Sequence, residues 1–140
     1  MTRREEIENI IIGTLLCSDY SVNYYESCRC CITPDMFSDD TNRRIYEIVV
    51  EMNANGIIEV SPYTIYTTYG DKVRDMICRM CELATDYSFL HMKTQYNEMM
   101  FVRWHLLGIR PRYTDVKFDD YVNRFIQLVF ENDERGKDNR

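Results

Sequence analysis

Proline is scarce in this chain, three residues in 140, and glycine is little commoner at five. No stretch rich in Gly, Ser or Pro marks a linker between domains, and no internal repeat is present. The apolar run nearest the N-terminus, Ile10 to Ile12, is broken by Gly13 and Thr14, so that end is neither a secretory signal nor a membrane span. A cytoplasmic location follows as the expectation, with the six Cys as thiols rather than a disulfide framework. A phosphate-cradling G-x4-G-K-[ST] loop is also missing. The one Gly-Lys pair, Gly136-Lys137, has Glu131 where the first glycine is needed and Asp138 where the hydroxyl is needed. The two His, His91 and His105, are too far apart for an H-E-x-x-H site, and neither has a carboxylate at ligand spacing. No catalytic residue and no cofactor site is expected.

What is present is a globular composition, 45% hydrophobic and 29% charged, in a length that fits one domain with a real core. Eleven Tyr and six Phe supply an aromatic interior, and eight Met serve as adaptable filler. A net charge of -6 sets the chain as a whole against phosphate backbones, so nucleic-acid binding would require a local basic patch.

Hydrophobic spacing is helical almost throughout. Arg4 to Leu16 places Ile7, Ile10, Ile11 and Leu15 on one face, behind a first turn enriched in Glu5, Glu6 and Glu8. Ser18-Asp19 offers a stop and a new cap before a short helix through Val22, Tyr25 and Cys28. Thr33-Pro34-Asp35 starts a single turn ending near Phe37. Asp39-Asp40-Thr41 caps a helix with Ile45, Ile48, Val49 and Met52 as its stripe, closed by Asn55-Gly56. Ser61-Pro62 opens another, through Ile65 and Tyr69 to Gly70, and Val73, Ile77, Met80, Cys81 and Ala84 form the next stripe. Only Ile57 to Val60 resembles a strand.

Beyond residue 87 the pattern lengthens. Ser88 to Leu107 lacks a breaker, Gly108-Ile109-Arg110-Pro111 stops it, and Asp115 to Asn132 follows with Phe118, Tyr121, Val122, Phe125 and Val129 on one side. Two helices joined by a short turn fold back as an antiparallel hairpin. The expected fold is all-α: a compact head of about six short helices over residues 1–87, a helical hairpin of the same domain over 88–132, and a polar, fraying tail over 133–140.

In this order the pieces resemble the N-terminal domain of the DnaB-type replicative DNA helicases. The resemblance rests on Glu8-Asn-Ile-Ile-Ile-Gly-Thr-Leu-Leu16, on Ile32-Thr-Pro-Asp-Met-Phe37, on the run from Asn42 to Gly56, and on Glu82-Leu-Ala-Thr85. It covers roughly residues 5 to 132, and its motifs are packing and turn residues. It implies a helical head with a hairpin that pairs subunits into a collar, docking primase or a helicase loader. The family's ATPase motor follows this domain, and without a P-loop neither ATP hydrolysis nor unwinding is expected of this chain alone. The expected role is a non-catalytic interaction module of DNA replication, part of a primosome, with helicase, primase or loader as partner, or with self-association through the hairpin. The hairpin residues proposed for the partner surface are Tyr96, Met100, Trp104, Phe118 and Phe125.

Other constellations compete with that reading. Cys28-Arg-Cys30-Cys31 and Cys78-Arg-Met-Cys81 offer five thiols, and C-x2-C is a common zinc half-site. Cys78 and Cys81, however, fall in a helical stripe with no turn glycine nearby, so core packing is the expected role and no metal is assigned. Arg103, Arg110, Arg112 and Lys117 gather around the hairpin turn with Trp104 and Tyr113, which allows single-strand stacking as the alternative function. Long cations solvating a hairpin tip explain the same residues. Tyr63, Tyr66 and Tyr69 could form an exposed strip, although at least two of them are expected in core or half-core positions. The pairs Glu5-Glu6 and Asp39-Asp40 read as helix-start charges.

Overall fold

The computed structural model describes residues 2–17, 24–57, 59–86 and 116–138, and everything around it is built on α1 (Arg3–Leu15). Thr2 caps this helix in a capping box: its hydroxyl accepts the Glu5 N–H at 3.2 Å, and the Glu5 carboxylate accepts the Thr2 N–H at 3.4 Å. The single apolar face expected from Ile7, Ile10, Ile11 and Leu15 is only part of what is covered, because Ile12, Leu16, Thr14, Asn9 and Glu8 are buried as well. The reason is packing on several sides, since α1 contacts α2 (Asp40–Ala54), α4 (Ile77–Asp86) and α5 (Val116–Asp138). A helix enclosed this way must bury polar residues with partners or lose stability.

Local signals place most of the remaining elements. Asp39 caps α2 by accepting the Asn42 N–H at 2.9 Å, and Gly56 closes it at φ +80°, a conformation open to glycine at little cost. Ser61 and Thr64 form a capping box at the start of α3 (Pro62–Tyr69), and Gly70 ends it at φ +60°. A 3-10 segment, Gly70–Met76, then leads into α4. Pro34–Met36 is the expected single turn, although the Thr33 side chain makes no cap bond there.

Several expectations are corrected. The second helix, expected through Val22, Tyr25 and Cys28, is over the described residues a 3-10 turn, Tyr24–Ser27, continued by a turn in which Cys31 N–H reaches the Cys28 carbonyl at 3.0 Å. No strand occurs among the described residues; the Ile57 N–H instead reaches back to the Met52 carbonyl at 2.9 Å. Helix α5 runs on through the first residues of the polar tail to Asp138. The first arm of the expected hairpin, 88–107, and its turn lie outside the described residues, so α5 is the arm the structure shows.

The aromatic residues knit the core together. Phe37 stacks at 4.9 Å on Tyr46 and at 5.0 Å on Phe125, while Tyr24 meets Phe118 edge-on at 4.9 Å. Tyr46 keeps its hydroxyl satisfied by donating to the Ile32 carbonyl at 2.8 Å. These contacts tie both short turns of the head to α2 and α5. The fold is all-α.

Candidate interaction surface

Two buried polar residues of α1 decide how the head is assembled. Glu8, with no exposed surface, accepts the Ser38 N–H at 2.8 Å and the Asp39 N–H at 3.3 Å, and also the Ser38 hydroxyl. Arg4 lies 3.8 Å from the same carboxylate and donates to the Met36 carbonyl, while Arg43 donates to the Phe37 carbonyl at 2.9 Å. Residues 36–39 are therefore gripped on both sides, amides by an acid and carbonyls by two guanidinium groups. The acid also sits where the start of α2 favours negative charge. Asn9 makes the second junction: its Oδ1 accepts from Asn42 at 3.0 Å and from Arg79 at 3.2 Å, joining α1 to α2 and α4. Arg79 can only donate, which orients the Asn9 amide and in turn the Asn42 amide. Asn9, Arg79, Glu5, Ser38 and Asp39 line an open polar concavity of about 440 Å³.

With the head fixed, α3 is held by a single fully buried side chain, Ile65, and by the half-buried Tyr69. Burial first, and then the charge and hydrogen bond of Glu51, push the Tyr69 hydroxyl above its ordinary pKa. Tyr63 and Tyr66 point the other way, 76% and 42% exposed. The expectation that at least two of the three tyrosines would be core or half-core is thus corrected, because Ile65 and Tyr69, four apart on one face, already anchor so short an element. Positions three apart lie on one helical face, so Tyr63 and Tyr66 form one aromatic ledge. Next to this element, Arg44 of α2 donates to Asp75 at 2.9 Å, a bond that lowers the Asp75 pKa.

The proposed partner residues fall out differently. Phe118 and Phe125 are fully buried in the chain's own core, because α5 turns Phe118, Val122, Phe125 and Val129 inward. They are corrected from surface to core residues. Phe130, not singled out from the sequence, is 59% exposed on the outer side of the same helix. Tyr96, Met100 and Trp104 lie outside the described residues, as do Arg103, Arg110, Arg112 and Tyr113 of the basic alternative and both His. Lys117 is in the first turn of α5, with its side chain outside the description.

The cysteines separate into different surroundings. Cys28 is buried in the core, whereas Cys30, Cys31, Cys78 and Cys81 are exposed. Core packing was expected of Cys78 and Cys81, but Val73, Met76, Met80 and Leu83 take the inward phase and leave both thiols on the outside. Cys17, half-buried, donates to the Ala84 carbonyl at 3.2 Å, and burial raises its thiol pKa to about 11. Among the described residues, no three His, Cys, Asp or Glu side chains converge into a metal cluster.

A family model for the DnaB-like helicase N terminal domain matches residues 1–88. The chain belongs to the DnaB-like helicase N-terminal domain family. The match spans the head, from α1 through α4, and stops short of α5, so it is narrower than the expected span of roughly 5 to 132. It is a match to the family's N-terminal domain, a replication-related module. Glu8, Phe37, Asp39 and Gly56, which hold the head together here, all lie within it. No curated protein and no solved structure matches the chain. No helix among the described residues is long and apolar enough to cross a membrane.

Proposed function

We propose that this chain is a non-catalytic protein-protein interaction module of DNA replication, engaging helicase, primase or a helicase loader. The carrying observation is the Tyr63–Tyr66 ledge, presented on a head of the helicase N-terminal family. Exposed tyrosines bring a large amphipathic contact area at low entropic cost and are enriched where proteins meet. Charge supports a protein partner over a nucleic acid, because the chain carries a net -6. Phe130 gives α5 an exposed aromatic of its own, suited to self-association along that helix.

The test is co-elution of the full chain with the purified helicase, primase and loader of its own host, each in turn. A complex with one of them that survives moderate salt is the expected result. Co-elution with none, at concentrations well above micromolar, removes the replication reading and leaves the family fold alone.

A further inference from the structure

Cys28 and Cys31 bracket one tight turn. The Cys28 carbonyl accepts the N–H of Cys31 at 3.0 Å and of Ile32 at 2.8 Å, and the Cys31 thiol points back along the turn, 3.3 Å from the Ser27 carbonyl and 3.6 Å from that of Cys28. A turn closed by such an i to i+3 bond holds its end Cα atoms within about 7 Å, and a disulfide needs a Cα separation of roughly 4.4–6.8 Å. The two thiols differ in access: Cys31 is exposed and Cys28 is buried. Cys31 acts electrostatically on Cys28, and Asp119 of α5 acts on both.

From this juxtaposition we propose that Cys31 is a site of exchange with low-molecular-weight disulfides, and that Cys28 resolves it into an internal Cys28–Cys31 disulfide. In the first step the Cys31 sulfur, after losing its proton to solvent, attacks one sulfur of glutathione disulfide. An S–S bond forms to Cys31, and one glutathione thiolate leaves. In the second step Cys28, its proton likewise released, attacks the Cys31 sulfur and expels the second glutathione. Two protein thiols are oxidised, and one glutathione disulfide is reduced to two thiols.

Burial raises both thiols above their ordinary pKa, with Cys31 and Asp119 adding to the effect on Cys28, and Cys30 and Asp119 to that on Cys31. Thiolate is therefore scarce and exchange is slow at neutral pH. The same raising deprives the reduced form of thiolate stabilisation, so the closed disulfide, once made, resists reduction. Closing it draws Cys28 out of the core beside Tyr46. It also stiffens the segment whose Tyr25, Glu26 and Arg29 form one wall of an open groove of about 410 Å³, against Val50, Asn53 and Ala54 of α2. The turn is thus a covalent handle on that groove, separate from the tyrosine ledge of α3.

The experiment incubates the native full chain in glutathione and glutathione disulfide, quenches with acid, unfolds, alkylates and maps the cysteines by mass spectrometry. The expected product is two hydrogens lighter and carries a Cys28–Cys31 link. Cys30→Ser leaves that product unchanged, and Cys31→Ser, with helicity retained, abolishes it. A glutathione left on Cys31 with Cys28 still alkylatable overturns the proposal, as does a Cys30–Cys31 link or an unreacted Cys31.

Discussion

The Glu8 carboxylate of α1 accepts the backbone N–H of Ser38 at 2.8 Å, across thirty positions of sequence and with no exposed surface of its own. That bond and its neighbours hold the entry to α2 against α1. Glu8→Gln can keep its carbonyl oxygen for the Ser38 and Asp39 amides, but its NH2 group then faces the Ser38 hydroxyl and Arg4, which is left without its anion. The expected loss is about 2–4 kcal/mol, a fall in Tm on the order of 10 °C. Glu6→Gln, exposed one turn position away, is expected to stay within about 0.5 kcal/mol. Thermal melts of the two variants side by side check this, and equal losses would contradict the clamp.

Phe125 and Phe130 lie five positions apart on α5, one against Phe37 in the core and one in solvent. Phe125→Ala is expected to cost about 3–5 kcal/mol through the cavity it leaves. Phe130→Ala is expected to leave folding stability within about 0.5 kcal/mol while weakening self-association. Urea titration reads the first, and sedimentation at several concentrations reads the second. A mild Phe125→Ala variant would mean that α5 packs elsewhere than on the head.

Alkaline pH should destabilise the fold in a defined window. Burial raises the Cys17 thiol from an ordinary 9.0 to about 11. Below pH 9 both folded and unfolded chains keep that proton, and its contribution is constant. Between 9 and about 11 the unfolded chain sheds it first, so stability is lost as pH rises. Burial pushes Cys28 and Tyr46 up as well, which extends the trend further. Melting curves across this range should therefore fall more steeply for the native sequence than for Cys17→Ala. Parallel slopes would show that Cys17 ionises no less easily in the folded chain.

The parts of the fold legible in the sequence are those set within a few residues. Asp39, Ser61, Gly56 and Gly70 mark helix ends because a cap or a positive φ is a local demand, and the stripe Ile45, Val49, Met52 shows the inward face of α2. The buried role of Glu8 is not local: an acid in a first turn reads as a dipole charge until the fold brings residues 36–39 onto it. Cys81 sits at the shoulder of the α4 stripe, and only packing decides that Met80 and Leu83 turn inward instead. The apolar side of α5 is readable, but periodicity does not say whether Phe118 and Phe125 meet a partner or their own core. Tyr63, Tyr66 and Tyr69 share a spacing, and the choice of Tyr69 as anchor comes from Glu51 and the core beside it.

The most direct test of the interaction role is a calorimetric titration of the native chain, and of the double variant Tyr63→Ala and Tyr66→Ala, against the helicase-binding domain of the host primase. The account predicts saturable binding by the native chain and, at unchanged helicity, binding weaker by roughly thirtyfold or more in the variant, as expected when a central aromatic pair is lost. Equal affinity in both would contradict the tyrosine ledge as the partner surface, and absence of heat from the native chain would contradict primase as the partner.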